Sequence, residues 1–589
     1  MKRKILSMVL LLAMLLSFIS VIANAEIVSS GTCGTEDDNV TWTLDDEGTL
    51  TISGTGEMKD YGRGGSPFYK NYDIKSVIIE NGVTSIGSNA FGDCHSLKNI
   101  TIPDSVTSIG HNAIEFCYDL KNITIPDSVT SIGSEAFLAC FGLTDIIILG
   151  GVESIDVSTF RSCSSLTNII IPDSVTSIGN NAFESCSKLT NITIPDSVTS
   201  IGKQAFSQCS KLTDITIPDS VTSIGAMAFE LCSSLTDITI PVNVTSIRQN
   251  TFLKCRSLAS ITIPDNVTSI GARAFSECTN LTNIIIPDGI KSIGEQVFYN
   301  TAYYNDENNW KDGILYIGNH LIKANSSDID TEYAINMNTK IIADEAFLNC
   351  SNLEKITIPD SVTSVGYSTF EGCSNLKSVA IPDSVTTVDT YAFRSCANLE
   401  SAEIGNGVKT IGYGAFYNCA SLTSITIGSG VTDIGVSAFA NCNNLTDVYY
   451  AGTKADWEKI KIYTNNNCLT RATIHYSDVE QTPTPTATPT PAPTPLPMTT
   501  AEITRTDVET DTTYTFEVDA EDKYENCCVY AAVYDDNGIL LTVKRVPLET
   551  SGNTNISAAK SENDALIKVF AWADKVIQPV IQAESFTLK

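Results

Sequence analysis

The sequence predicts a mainly β solenoid of short coils, with parallel strand ladders joined by short helical or 3₁₀ turns, followed by a small β-sandwich-like domain. Three observations predict it. Cys94, Cys117, Cys140, Cys163, Cys186, Cys209, Cys232, Cys255 and Cys278 stand 23 residues apart, and Cys350, Cys373, Cys396, Cys419 and Cys442 resume the same step. Phe precedes almost every one by three residues, from Phe91 to Phe439 with Ile114 as the exception, and Leu follows by three, as at Leu97, Leu120 and Leu143. A chain of 589 residues is also too long for one ordinary core, so a repeat array accounts for the length as well as the period.

Coil 189–211 shows how the pattern closes. Its apolar set is Leu189, Ile192, Ile194, Val198, Ile201, Ala205, Phe206 and Cys209. Leu-x-x-Ile-x-Ile ends in period two, which is a strand with Ile192 and Ile194 on one face. Pro195 cannot donate to a ladder and Asp196 caps its own backbone, so Pro195-Asp196-Ser197 forms a turn. Residues 198–201 read as a second short strand, Gly202 permits a tight bend, and Ala205-Phe206 forms a helical or 3₁₀ turn back to Cys209. One coil buries about six large side chains at roughly 1.5 to 3 kcal/mol each, too little to offset its own ordering entropy, so stacking is obligatory. Fifteen coils begin at 74, 97, 120, 143, 166, 189, 212, 235, 258 and 281, then at 330, 353, 376, 399 and 422. At ~4.8 Å per strand they form a ladder of roughly 70 Å.

Around the coils the chain divides readily. Residues 1–25 carry Lys2, Arg3 and Lys4, an apolar run and Ala23-Asn24-Ala25, the pattern of a signal peptide whose cleavage leaves no membrane insertion. Residues 26–73 are the expected N-terminal cap, 74–303 the first block of repeats and 330–444 the second. Between them, 304–329 is an insert: Thr301 stands where Cys is due, and 313–319 has the composition of a hairpin. Such an interruption is expected as a loop on one face. A C-terminal cap follows at 445–480, then a Thr/Pro-rich linker at 481–498, extended over about 50 Å as polyproline II. Residues 499–589 read as a small β domain, with strands at 514–518, 529–541 about an Asp536-Asn537-Gly538 turn, and 568–574.

Composition excludes several functions. A net charge of −31 repels nucleic acid and anionic lipid. The ladder cysteines would lie ~4.8 Å apart, within disulfide range, but they share the inward register of Phe and Leu and read as reduced structural thiols. No ladder Cys has a C-x-x-C partner or a histidine at ligand spacing, so no metal and no cofactor is expected. Cys527-Cys528 are adjacent in a strand and point to opposite faces. His95, His111, His320 and His475 share no register with a nucleophile, so no catalytic site is expected. An Asp column after each Pro, from Asp104 to Asp383, is turn chemistry before it is a calcium site.

The binding candidates are outward residues. On the strand face Thr101, Thr124, Asn191, Thr193, Asp214, Thr216, Asp237 and Thr239 form a polar lattice. A repeating lattice suits a repeating ligand held by many weak contacts, while Trp, Tyr and Arg anchors are few on this face before Tyr449. Trp310 and Tyr316 of the insert are a second candidate. The bend and the Phe-x-x-Cys turn are a third, because coils differ most there, as at Ser134-Glu135, Lys203-Gln204, Ala226-Met227 and Arg273.

The segment CYDLKNITIPDSVTSIGSEAF at 117–137, repeated with small changes, resembles the BspA-like leucine-rich repeats of bacterial and protist surface proteins. GTCG at 31–34, the segment 40–61, VYYAGTKADWEKI at 448–460 and NNNCLTRATIHY at 465–476 resemble that family's flanking segments. The resemblance implies a right-handed, mainly β leucine-rich-repeat solenoid exported to the cell surface or medium, associated with adhesion and lacking catalytic residues. The tail resembles a small β domain at the C-terminus of secreted bacterial proteins, some of them polysaccharide-degrading. The expectation is therefore a secreted, non-catalytic binding or adhesion protein for an extracellular protein or glycan. A scaffold of an extracellular assembly is the alternative, and a component of a polysaccharide-active enzyme the third.

Overall fold

The computed structural model describes residues 25–35 and 39–477 in full and, beyond them, the backbone of seven strands between Ile503 and Thr587. The signal-peptide segment 1–24 and the linker lie outside the described residues. Residues 1–480 and 481–589 form separate units.

A typical coil of the first unit bonds to its neighbours along three sides. Strand Asn191–Thr193 pairs in parallel with Asp214–Thr216, placing Asn191 opposite Asp214 and Thr193 opposite Thr216. Ser200–Ile201 pairs in parallel with Ser223–Ile224 of the next coil. The third side is the return leg, where the N–H groups of Gln204, Phe206 and Gln208 donate to the carbonyls of Ala226, Ala228 and Glu230 at 3.0, 2.8 and 2.7 Å. Gln204 and Gln208 adopt φ of 56° and 62°. A right-handed helical turn has no place for two left-handed residues, so this leg is a run of tight turns where a short helical turn was expected. The short helices lie elsewhere, at Ala302–Asn305, Glu307–Asn309, Lys454–Trp457 and Asn467–Arg471.

All eight apolar residues of coil 189–211 are buried. Phe183, Phe206, Phe229 and Phe252 stack with ring centroids 5.3, 5.4 and 5.5 Å apart. The ladder cysteines are free and buried beside them. Apart from Cys350, the ladder thiols donate one coil back: Cys186 to the Phe160 carbonyl and Cys209 to the Phe183 carbonyl, both at 3.2 Å. Burial pushes the Cys140 and Cys209 thiols up to about 12, so they remain protonated donors.

The first ladder is not continuous. Coil 235 forms no strand on this side, although its Ser246–Ile247 pairs in the second ladder, and Asp214–Thr216 is the last strand of its sheet. Pairing resumes with Ser260–Thr262 and Asn283–Ile285, then again after the insert with Glu332–Ala334. At the N-terminal end Ile27–Thr32, Val40–Asp45 and Thr49–Gly54 pair antiparallel, and the last of these pairs in parallel with Ser76–Ile79. At the other end Thr473–Tyr476 pairs with Asp447–Tyr450, and Lys461–Ile462 with Asp433–Ile434.

The insert is a rung of the solenoid, which corrects the expectation of a loop on one face. Thr301 is buried in the place of Cys; its Oγ1 donates to the Phe298 carbonyl at 2.9 Å and accepts from the Tyr304 N–H at 3.1 Å, starting helix Ala302–Asn305. The expected hairpin forms between Ile314–Ile317 and His320–Ala324. His320–Ala324 then pairs in parallel with Ile341–Ile342 of the second ladder. Leu315, Ile317 and Ile322 join the core of the first block, while Ile314, Leu321 and Ala324 join that of the second. Burying both faces of the hairpin removes more apolar surface from water than a loop could.

In the second unit, Ile503–Arg505, Thr513–Val518 and Thr554–Ala559 make one antiparallel sheet. Leu540–Pro547, Cys527–Asp535, Asp564–Ala573 and Pro579–Thr587 make another, with Cys527-Cys528 inside a strand as expected.

Candidate binding surfaces

Strand alternation turns Ile192 and Ile215 inward and their neighbours outward. Thr101, Asn191, Thr193, Asp214, Thr216, Asp237 and Thr239 are accordingly exposed, and Thr124 is half-buried. Asp237 and Thr239 share that side but stand in the coil that forms no strand there. A neighbouring Thr column is locked into the scaffold: Thr213 Oγ1 donates to the Thr190 carbonyl at 3.1 Å, and Thr190 Oγ1 to that of Thr167 at 3.4 Å. Among the described residues no hydrogen bond engages the side chains of Thr193, Thr216 and Thr239, which leaves three hydroxyls in a row for a ligand.

The lattice has an apolar break that sequence reading passed over. Ile147 and Ile170 occupy the Thr register, face each other as Cα partners on adjacent strands, and are 43% and 64% exposed. Leu149 adds a third exposed aliphatic side chain, in a coil where Leu149-Gly150-Gly151 replaces the usual Pro-Asp-Ser turn. This patch separates Thr101 and Thr124 from Thr193 and Thr216. The signal was present in the run Ile146-Ile147-Ile148, where an outward position carries a large apolar residue.

Trp310 and Tyr316 serve the insert itself. Trp310 Nε1 donates to the Tyr304 carbonyl at 2.7 Å, and its ring meets Tyr304 edge-on at 5.2 Å. The Tyr316 hydroxyl accepts the Asn336 N–H at 3.3 Å, and the Tyr303 hydroxyl donates to the Tyr316 carbonyl at 3.0 Å. Both side chains are half-buried.

The turn side of the second block carries a cluster unnoticed in the sequence. The Arg394 guanidinium lies 4.7 Å from the Tyr391 ring centre and 5.8 Å from that of Tyr417, and pairs with Glu371 at 3.2 Å. Tyr391 meets Tyr413 at 5.2 Å, while Tyr367 and Tyr413 are well exposed. These are hot-spot residue types, on the bend where coils differ most.

Displaced titrations gather at the insert. Burial pushes Asp344 up to about 7, and burial lowers both His320 and Lys323. Their polar atoms hold backbone: the Tyr367 N–H donates to Asp344 Oδ1 at 2.9 Å, Lys323 Nζ donates to the Glu345 carbonyl, and His320 Nε2 lies 3.2 Å from the Pro287 carbonyl. Among the described residues no group of three His, Cys, Asp or Glu is placed to hold a metal ion.

These stacked coils, with an apolar column inside and short parallel ladders outside, define a leucine-rich-repeat solenoid. Residues 64–190, 176–305 and 325–470 match the profile described as BspA type Leucine rich repeat region, in 6 copies. The chain belongs to the BspA-type leucine-rich-repeat family. It is similar to a leucine-rich repeat protein from Bacteroides ovatus at 28% identity, covering 73% of this chain and 99% of that one with a TM-score of 0.36. It is also similar to a leucine rich cell surface protein from Faecalibacterium prausnitzii at 26% identity, covering 73% and 98% with a TM-score of 0.31. No curated protein matches the chain. Among the described residues no helix is long and apolar enough to cross a membrane.

Proposed function

We propose that the chain is a secreted or cell-surface, non-catalytic binding protein that adheres to an extracellular protein or glycan through the strand face of its first block. The observation that carries this reading is the Ile147–Ile170 pair, two large aliphatic side chains side by side on a solvent-facing sheet. Exposed apolar patches rimmed by polar residues mark interaction surfaces. Here the rim supplies unengaged hydroxyl, amide and carboxylate groups from Thr124, Asn191, Thr193, Asp214 and Thr216. Saturable binding of the exported chain to an array of matrix proteins and glycans is the test. Ile170→Lys, an outward change that leaves the core intact, should weaken that binding at least tenfold. Binding indifferent to this change would move the site elsewhere, and a chain retained inside intact cells would overturn the reading.

A further inference from the structure

An outward column runs along the first block in the register that follows each ladder Cys: Tyr72, His95, Tyr118 and Phe141, then Ser164, Ser187, Ser210 and Ser233, then Arg256. The four rings stack with centroids 5.0, 4.2 and 5.0 Å apart. The stack ends at Phe141, because the next coil offers Ser164 in place of a ring. Phe141 stays 43% exposed, with a ring face that has no aromatic partner beyond it. From Phe141 to Arg256 the small side chains leave an open trough of about 450 Å³. That volume falls within the ~300–1,000 Å³ of small-ligand sites.

The trough floor has a defined chemistry. Ser187 Oγ donates to the Ser164 carbonyl and Ser210 Oγ to the Ser187 carbonyl, both at 3.4 Å, and Ser233 Oγ to the Ser210 carbonyl at 3.3 Å. Well-formed O–H···O bonds measure ~2.5–3.0 Å, so these hydroxyls are weakly held and free to turn toward a ligand. Each also keeps its lone pairs as acceptors. Arg256 closes the far end with five donors.

We propose that this trough binds an uncharged linear oligosaccharide segment of equatorially linked pyranose units, with sugar C–H groups against Phe141, sugar hydroxyls on the serine rungs and Arg256 donating at the other end. The proposal rests on the reading of the solenoid as an exported binding protein, but not on its strand face. An extended, equatorially linked pyranose chain advances per unit by slightly more than the ~4.8 Å coil spacing and turns each unit relative to the last. Each serine rung therefore meets one sugar, and successive rungs meet different sugar edges. An extended peptide advances only ~3.3 Å per residue and would fall out of step. The net charge of −31 disfavours anionic polymers. From Phe141 to Arg256 there are five coil steps, about 24 Å, so the trough holds about five units.

The test is titration of the full exported chain with xylo-, cello- and manno-oligosaccharides of increasing length. Saturable binding to at least one series is expected, with affinity rising to about five units and then levelling. Ser187→Phe should reduce that binding at least tenfold, because it fills the trough with a ring of the kind that the coils of Tyr118 and Phe141 already carry in this register. An unchanged thermal midpoint checks its folding, and Arg256→Ala probes the opposite end should Ser187→Phe misfold. Absence of binding to every neutral series, insensitivity to both variants, or competition only by acidic saccharides or peptides would overturn the proposal. Ile170→Lys separates the two readings, since it should weaken strand-face binding while leaving the trough intact. Strand-face binding without oligosaccharide binding removes the trough alone; no binding of either kind removes both.

Discussion

The two blocks of coils on either side of the insert share an inside and differ outside. Phe206, Cys209 and Leu212 in the first block and Phe393, Cys396 and Leu399 in the second are all fully buried. The thiols of Cys209 and Cys396 each donate to a Phe carbonyl one coil back at 3.2 Å. Outside, the first block presents threonine hydroxyls, the Ile147–Ile170 pair and the serine trough. The second presents a charged strand face, with Glu332, Lys355, Glu354 and Lys377, and the Tyr–Arg cluster on its bend. An inward side chain must fit the coil above, the coil below and the far wall at interior packing density, so few solutions serve. An outward side chain meets water and is free to diverge. Recognition therefore has to be sought column by column on the outside, and separately in each block. The insert enforces the separation, because its hairpin gives each block its own apolar end.

The largest effect should come from opening a hole in one core. Phe206→Ala and Phe393→Ala each remove a fully buried ring from the middle of a stack and should cost about 3–5 kcal/mol. If the blocks are separate cooperative units, each loss stays in its own block. Pulsed thiol labelling across a denaturant series reads this directly. Cys186, Cys209 and Cys232 should label earlier in the first variant, and Cys373, Cys396 and Cys419 earlier in the second. Among the described cysteines, the half-exposed Cys468 should label first in the native chain. A shift common to every ladder thiol would show that the hairpin couples the blocks into one unit, and the comparison would fail.

The interior was legible in the sequence because a strict period turns burial into columns. The eight apolar residues assigned inward in coil 189–211 are all buried, and the hairpin at 313–319 was visible from its glycines and alternation. The return leg was not, because left-handed conformations at Gln204 and Gln208 carry no glycine signal; stacking against the next coil imposes them. The layer of the insert was equally hidden, since only pairing with Ile341–Ile342 places both its faces in a core. Outward columns were read only in part. The threonine lattice follows from strand alternation, whereas the ring column and the trough come from single changes 23 residues apart on a side without regular secondary structure.

A smaller effect, confined to the junction, should follow pH. Asp344 stands where other coils have Ser134, Asn180 or Lys203, and burial holds its folded pKa at about 7, above the ordinary value of 3.8. The folded state then binds more protons, so this contribution is full below the unfolded pKa and is lost as pH rises toward 7. His320 acts in the opposite direction. Burial lowers its pKa and its Nδ1 has no partner among the described residues, so its contribution is present above the unfolded value of about 6.5 and is lost as pH falls through the lower folded value. Asp344→Asn keeps an acceptor for the Tyr367 N–H and removes the buried charge. It should stabilise the chain by about 1–3 kcal/mol at pH 8 and by nothing measurable at pH 4, with only the acid-side loss from His320 remaining. Denaturant midpoints across that range test this, and a gain independent of pH would show that the carboxylate is not protonated in the folded chain at low pH.

The smallest effect should come from the most conspicuous charges. Lys355 pairs with Glu332 at 3.4 Å and Lys377 pairs with Glu354, each across one coil step on the strand face of the second block. All four side chains are well exposed, so water screens the attraction and holding two long side chains together costs conformational entropy. Lys377→Ala should leave the denaturation midpoint within replicate scatter at low salt and unchanged in high salt. A clear loss that vanished on adding salt would mean that the charged face helps hold the second block together. Its outward columns would then be committed to stability as the inward ones are, and the freedom to diverge would belong to the first block alone.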